Sequence, residues 1–137
     1  MPLEKSQREQ IKQQVLDIVA GGRRCTPMRK MIFLVSGTRV HVRFCFPARK
    51  DFSFFTFTIS PVAMKADYEI WICGSAAQFY LVPTSIVQHI YDDPDAYTES
   101  AHPEIRVVYV DVKKNKAAYT AGGKAVDLKA YRGRVLR

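Results

Sequence analysis

The amino-terminal part of the chain has apolar side chains at helical spacing. Residues 4–20 carry one apolar stripe with intervals of i, i+4, i+7 and i+8, which predicts an amphipathic helix. The members of this stripe are Ile11, Val15, Ile18 and Val19. Gly21 and Gly22 end the predicted helix, because glycine tolerates the left-handed conformation that commonly follows a helix. Residues 23–27 are then predicted to form a basic, conformationally loose connector.

Strand patterns follow this helix. Residues 31–36 are a continuous apolar run, and Ser36 and Gly37 indicate a turn. Residues 39–46 alternate strictly, which predicts a strand with one buried face and one outward face. The buried face holds Val40, Val42, Phe44 and Phe46, and the outward face holds Arg39, His41, Arg43 and Cys45. Residues 52–59 are rich in Phe and Thr, which favours a further strand.

The second half of the chain continues with strands around a short helix. The predicted strands are residues 66–73, 78–82, 105–112 and 117–120. Residues 85–91 form the predicted helix, and a short element at 126–131 precedes a basic tail. This order of elements indicates a single α+β domain over residues 1–137, with a mixed, mostly antiparallel sheet, two helices and a C-terminal β-hairpin.

Composition excludes several classes of protein. Hydrophobic residues make up 47% and charged residues 25%, which is ordinary for a folded domain and excludes wholesale disorder. No apolar run approaches the ~20 residues that a membrane span needs, so no membrane association is expected. The polar amino terminus lacks the apolar core of a secretory signal, so a cytoplasmic protein is expected. The cysteines, Cys25, Cys45 and Cys73, form no CxxC pair and are expected to be buried reduced thiols.

Charge is segregated along the chain. The net charge is +8, but residues 1–60 carry +7, residues 61–104 carry −6 and residues 105–137 carry +7. Two basic blocks therefore flank an acidic block. If the fold brings the basic blocks together, one face becomes strongly positive and a polyanion is the natural partner. Nucleic acid is the partner that we expect, and an acidic protein or a merely basic surface are the alternatives.

One short pattern is typical of a metal-dependent nuclease. Pro94 and Asp95, followed by Asp111, Val112 and Lys113, spell PD…DxK. Such an enzyme needs acidic groups for Mg²⁺ and a lysine beside the attacking water, and alternate residues of a strand point to the same side. Asp95, Asp111 and Lys113 are therefore the candidate catalytic residues of a Mg²⁺-dependent endonuclease. The alternative interpretation is that they are ordinary loop acids and a turn lysine.

The middle of the chain resembles a known family. Residues 66–72 (ADYEIWI) and 80–83 (YLVP), followed by a predicted helix, resemble a hairpin of the PD-(D/E)XK restriction-endonuclease-like superfamily. In that family a helix precedes a β-meander, one strand of which carries a Q/E-x-K motif. The corresponding strand here contains His41 and Arg43 instead, and residues 18–40 contain no Asp or Glu. The resemblance covers residues 4–92.

This resemblance implies a nuclease-like scaffold that binds DNA without cutting it. We expect a DNA-binding module of a restriction, defence or mobile-element system that needs no cofactor, with Mg²⁺ required only if the chain is a nuclease. Duplex DNA is the expected partner, bound through basic side chains that contact phosphates. The candidate contacts are Arg23, Arg24, Arg29, Arg39, His41, Arg43, Arg49, Lys50, Lys113, Lys114, Arg132 and Arg134, together with Lys116 and Arg137.

Other functions stay open on sequence alone. An active nuclease would need Asp111 and Lys113 beside another carboxylate, with Asp95 or Glu69 as candidates. An RNA-binding sheet would stack bases on exposed aromatic side chains. Those aromatic residues are Phe54, Phe55 and Phe57. A protein-interaction domain would use the acidic residues 92–104, and a homodimer or partner proteins of a larger system are further alternatives.

Overall fold

The computed structural model describes residues 5–29, 31–46 and 53–136. The helices are α1 (Lys5–Ala20) and α2 (Thr84–Tyr91), with short 3₁₀ helices at Pro61–Lys65 and Lys129–Tyr131. The strands are β1 (Cys25–Arg29), β2 (Ile32–Val35), β3 (Thr38–Cys45), β4 (Phe54–Ile59), β5 (Tyr68–Ser75), β6 (Gln78–Pro83), β7 (Arg106–Asp111), β8 (Lys116–Ala118) and β9 (Ala125–Asp127). The α+β class predicted from the sequence is confirmed.

The strands form two sheets rather than the single sheet that the sequence predicted. The first has the order β1-β2-β3-β5-β6 and is antiparallel except for the parallel pair β3–β5. A parallel pair needs a crossover connection, and β4 with the 3₁₀ helix Pro61–Lys65 supplies it. β4 thereby leaves the first sheet and pairs with β7, which gives an antiparallel second sheet of order β4-β7-β8-β9. The expected C-terminal hairpin is part of this second sheet.

The central strands of the first sheet, β3, β5 and β6, are covered on both faces, whereas the edge strand β1 is exposed. One face packs against α1 through fully buried aliphatic residues, namely Val40, Val42, Ile70 and Ile72. The other face packs against the second sheet and α2, and Phe57 stacks on Trp71 with ring centroids 5.5 Å apart. The strand register predicted for β3 is therefore correct, but its second face does not point outward. His41 is buried and Arg43 is half-buried because the second sheet covers that face.

α1 packs through a different stripe from the predicted one. Its buried residues are Val15, Leu16, Val19 and Ala20, whereas Ile18 is 44% exposed. Successive residues of a helix are rotated by about 100°, so Ile18 lies beyond the edge of a stripe centred between Val15 and Leu16. The prediction that Ile18 packs on the sheet is wrong, and Leu16 takes that role.

The segment predicted as a loose connector is largely a strand. β1 pairs with β2 from Cys25 to Arg29 and forms the edge of the first sheet. Pro27 is tolerated there because an edge strand has one side on which no backbone N–H is needed. Of the residues predicted to form the loose connector, only Arg23 and Arg24 lie between α1 and β1.

The cysteines are free thiols in different surroundings. Cys73 is buried, as expected, whereas Cys25 and Cys45 are half-buried. Burial raises the pKa of each of these thiols above its ordinary value. Among the described residues, no helix has both the length and the apolar character needed to cross a membrane.

Alanine at Val42 or at Ile70 should lower the free energy of unfolding by about 1–4 kcal/mol, because the removed methyl groups leave a cavity. Both side chains are fully buried between α1 and the sheet. Ile18→Ala is the matched control, and its exposed side chain should change stability by only about 0.5 kcal/mol. Urea denaturation measures all three variants. Equal losses of unfolding free energy in Ile18→Ala and Val42→Ala would contradict the conclusion that α1 packs on the sheet through Val15, Leu16, Val19 and Ala20.

Candidate nucleic-acid interface

Three exposed lysines, Lys113, Lys114 and Lys116, lie in the turn between β7 and β8 and at the first residue of β8; we call this segment the lysine turn. Asp111 Oδ1 accepts the backbone N–H groups of Lys113 at 3.0 Å and of Lys114 at 3.2 Å, which fixes the turn. Asn115 completes it with a φ of 54°, in the left-handed region that asparagine tolerates better than most residues. Lys113, Lys114 and Lys116 make no ion pair with any other described residue. Their charges are therefore available to a partner.

Arg132 joins the C-terminal basic tail to this turn. Its Nη1 donates to the backbone oxygen of Val112 at 2.6 Å and to Asn115 Oδ1 at 2.8 Å. Its guanidinium carbon lies 5.8 Å from the centre of the Tyr80 ring, and the Tyr80 hydroxyl donates to Asn115 Oδ1 at 2.7 Å. These contacts hold the lysine turn against the start of β6, so the turn is presented by a fixed scaffold.

Cations from the amino-terminal block lie at the same end of the sheets. Arg8 and Lys12 of α1 line a cleft of about 250 Å³ that Phe44 also lines. Phe44 is near the end of β3 and is in register with Ile72, which is in turn opposite Phe79 near the start of β6. The cleft is thus level with Tyr80 and the lysine turn along the strands, but it lies on the α1 face of the first sheet, whereas the turn lies on the face that the second sheet covers. Lys12 also pairs with Glu9 at 3.4 Å, and its side chain is 17% exposed. We call this end of the molecule the basic end; its cations are Arg8, Lys12, Lys113, Lys114, Lys116 and Arg132.

The acidic block lies at the other end of the second sheet. The loop after α2 is held to the segment after β8 by a bridge between Ala96 and Thr120. Asp93 Oδ2 lies 3.0 Å from Lys124 Nζ in that region. A hydrogen bond from the backbone N–H of Asp95, followed by the contact with Lys124, lowers the pKa of Asp93. The carboxylates of this loop are therefore away from the basic end, where Asp111 and Asp127 are the register partners of Lys116.

The three candidate catalytic residues do not form one cluster. Asp111 pairs with Lys116 at the start of β8, whereas Asp95 lies next to the Ala96–Thr120 bridge, four residues further along that segment. Lys113 is beside Asp111, but the contact is through its backbone N–H. Among residues 5–29, 31–46 and 53–136, no group of three or more His, Cys, Asp or Glu side chains is placed to hold a metal ion.

Glu69, the other carboxylate considered for such a site, belongs to a buried network. Its Oε2 lies 2.8 Å from His41 Nδ1, and its Oε1 accepts a hydrogen bond from Trp71 Nε1. Glu69 and His41 are register partners on the parallel strands β3 and β5, and both are buried. Arg43 Nη2 donates to Thr58 Oγ1 of β4 at 2.7 Å. His41 and Arg43 therefore bind within the protein: His41 links neighbouring strands of the first sheet, and Arg43 connects the first sheet to the second.

The remaining candidate contacts are scattered. Arg23 and Arg24 are exposed after α1, and the C-terminal tail reaches that region because the Leu136 N–H donates to the Val19 carbonyl at 2.8 Å. Arg134 is an exposed residue of this tail. Arg29 is exposed on β1, and Arg39 forms an ion pair of 3.6 Å with Asp67. The predicted contacts Arg49, Lys50 and Arg137 lie outside the described residues.

Sequence reasoning did not select Arg8 and Lys12. Their signal was present, because both lie off the apolar stripe of the predicted helix. These positions alone could not place Arg8 and Lys12 at the basic end, because that requires knowing which face of the sheet α1 covers and which end of the sheet its amino terminus approaches. Phe54 is 41% exposed, whereas Phe55 and Phe57 are buried, so two of the three aromatic residues considered for RNA stacking are in the core.

Tyr80, whose hydroxyl donates a hydrogen bond to Asn115 of the lysine turn, is a titratable group of this site. Burial raises the pKa of Tyr80 to about 12, and the nearby Arg132 partly opposes this shift. The native state therefore binds the phenol proton more tightly than the unfolded chain does, so Tyr80 stabilises the fold fully below pH 10. This contribution should be lost as the pH rises from about 10 to about 12. Urea denaturation across this range should show a smaller decline for Tyr80→Phe than for wild type, and equal declines would contradict the assignment.

No protein-family model, curated protein or solved structure matches this chain.

Proposed function

We propose that this chain is a duplex-DNA-binding module whose core is restriction-endonuclease-like and non-catalytic. The observation that carries the proposal is the basic end, where exposed lysines and Arg132 of the C-terminal block are level along the strands with Arg8 and Lys12 of the amino-terminal block. Its three turn lysines have no carboxylate partner among the described residues, and the acidic loop lies at the opposite end of β8. DNA has one negative charge per ~1.7 Å of helix axis, so such a surface gains affinity by releasing counterions.

The order of elements supports the proposed core. The family that the sequence resembles has a helix before a β-meander, and then a hairpin that leads into a helix. This chain has α1, the meander β1–β2–β3, the hairpin β5–β6 and then α2. A cytoplasmic role in a DNA restriction, defence or mobile-element system is part of the same proposal and rests on that resemblance.

The placement of the acidic residues favours binding over cleavage. Asp111 Oδ1 is engaged by two backbone N–H groups, Asp95 is at the far end of β8, and Glu69 is bound by His41 and Trp71 in the core. The basic residues that would neutralise phosphates are instead exposed on a turn of fixed shape. Lysines suit backbone contacts because an ammonium group is a mobile point charge that needs no fixed geometry.

A binding series with matched nucleic acids tests this function. The chain should retard duplex DNA more strongly than single-stranded DNA or RNA of the same sequence and length. With Mg²⁺ or Mn²⁺ added, duplex DNA should remain intact. A preference for RNA would replace DNA as the partner. Metal-dependent cleavage that is lost in Asp95→Ala, a substitution that leaves the lysine turn intact, would replace the binding function with a nuclease.

A further inference from the structure

A second positively charged cleft lies on the first sheet, on the face opposite the cleft that Arg8 and Lys12 line. It has a volume of about 360 Å³ and lies between the β1–β2 edge and the 3₁₀ helix Pro61–Lys65. This volume is at the small end of the range of ~300–1,000 Å³ that is usual for ligand pockets. The lining residues are Met28, Arg29, Ile32, Arg39, Met64 and Lys65.

Three of the lining side chains are cations, and only one of them is paired with a carboxylate of the described residues. Arg29 and Lys65 are exposed and make no ion pair within the described part of the chain. Arg39 is paired with Asp67, but at 3.6 Å and with both side chains nearly half exposed. Counting Asp67, the cleft has a surplus of two positive charges. A phosphate monoester carries about −1.5 to −2 at neutral pH, so it matches this surplus better than a phosphodiester does.

The other three lining side chains are apolar. Ile32 is 2% exposed and forms the floor, whereas Met28 is 48% exposed and Met64 is half-buried. The pairing of β1 with β2 shifts register between Pro27 and Arg29, so Met28 is the extra residue of a bulge. Bulges re-aim side chains next to binding sites, and methionine packs favourably against aromatic rings.

We propose that this cleft binds a nucleoside 5′-monophosphate, with the phosphate between Arg29, Arg39 and Lys65 and the base against the two methionines. Two ligands carry this nucleoside 5′-phosphate group: a free nucleotide and the 5′-phosphorylated end of a DNA strand. The proposal goes beyond DNA binding at the basic end and does not depend on it. Binding should therefore persist in the variant with Gln at Lys113, Lys114 and Lys116.

Titration calorimetry with 2′-deoxyadenosine 5′-monophosphate tests the cleft. Lys65→Gln should weaken binding roughly 10- to 100-fold, because one charge-assisted contact to the phosphate is lost. Lys124→Gln, an exposed lysine at the acidic end, is the matched control and should leave binding unchanged. Deoxyadenosine without phosphate should bind at least tenfold more weakly, and so should inorganic phosphate without the nucleoside.

The second arm distinguishes the two sources of the ligand. Duplex DNA with a 5′-phosphate is compared with the same duplex with a 5′-hydroxyl, in wild type and in Lys65→Gln. A Lys65-dependent preference for the phosphorylated end, without binding of the free nucleotide, assigns the cleft to DNA ends. Binding of the free nucleotide assigns it to the mononucleotide. If neither probe shows Lys65-dependent binding, or if inorganic phosphate binds as tightly as the nucleotide, the proposal is wrong.

Discussion

Replacing His41 with leucine should lower the free energy of unfolding by about 3–5 kcal/mol, because it leaves a buried carboxyl group without its histidine hydrogen-bond partner. Glu69 is fully buried, and its side chain contacts His41 through Oε2 and Trp71 through Oε1. The Trp71 N–H alone can satisfy only one of the two carboxylate oxygens. This loss should exceed that of Val42→Ala, although leucine fills most of the volume of the histidine ring.

The double variant His41→Leu/Glu69→Leu separates charge from packing. Removing both partners should recover most of the stability, since a buried polar pair is often no more stabilising than well-packed apolar residues. His102→Leu is the matched control, because His102 pairs with Glu104 at 3.5 Å but both side chains are more than half exposed. That change should cost at most about 1 kcal/mol. Equal losses for His41→Leu and His102→Leu in urea denaturation would contradict the buried network.

Replacing Lys113, Lys114 and Lys116 together with glutamine should weaken duplex-DNA binding roughly 10- to 100-fold at physiological salt. Each lysine that contacts a phosphate contributes about 0.9 to the slope of log K against log[salt], so the slope should become shallower by about 2–3. The fold should be unaffected, because Asp111 holds the turn through backbone N–H groups that glutamine retains.

Lys124→Gln is the matched control for this triple variant. Lys124 is an exposed lysine of the same C-terminal block, but it lies beside Asp93 at the acidic end. Its replacement should leave both affinity and slope close to the wild-type values. Fluorescence anisotropy with a labelled duplex measures all three proteins. Similar losses in Lys124→Gln and in the triple variant would show that net charge, rather than the basic end, controls binding.

Local patterns predicted the secondary structure of this chain well. Strict alternation in β3 and β5 gave the correct face for Val40, Val42, Ile70 and Ile72, because a strand repeats every two residues. The turn signal at Ser36–Gly37 was reliable, since both residues have a positive φ. A second turn signal, Gly74–Ser75, was misplaced, because both residues belong to β5 and the chain turns at residues 76–77. α2 followed from its apolar spacing after Pro83.

The departure of β4 from the first sheet was not predictable from local patterns. Its sequence favours a strand, but only the tertiary pairing of Phe54–Ile59 with β7 shows which sheet it joins. That pairing covers the second face of β3 and turns His41 and Arg43 inward. The signal that could have indicated this is the complementary hydrogen-bonding capacity of His41 and Glu69 on adjacent strands, and it becomes visible only once β3 and β5 are known to be parallel and in register.

The candidate site was predictable as a charge distribution but not as a set of residues. Segregated basic blocks indicated that a positive surface would form, and the structure places cations from both blocks at one end. Which cations meet depends on long-range contacts, such as that of Tyr80 with Asn115, 35 positions apart. The PD…DxK pattern has the residue types of a nuclease. However, Asp111 pairs with the first residue of β8, whereas Asp95 is next to the Ala96–Thr120 bridge beyond the other end of β8.

The salt dependence of duplex-DNA binding tests the central claim most directly. Equilibrium constants for the wild-type chain and a labelled duplex are measured at salt concentrations from roughly 50 to 300 mM. The four exposed cations of the basic end, Lys113, Lys114, Lys116 and Arg132, predict a linear fall of log K with log[salt], with a slope of about −3 to −4. Absence of binding at the lowest salt concentration, or binding that does not change with salt, would contradict the assignment of the basic end as a nucleic-acid interface.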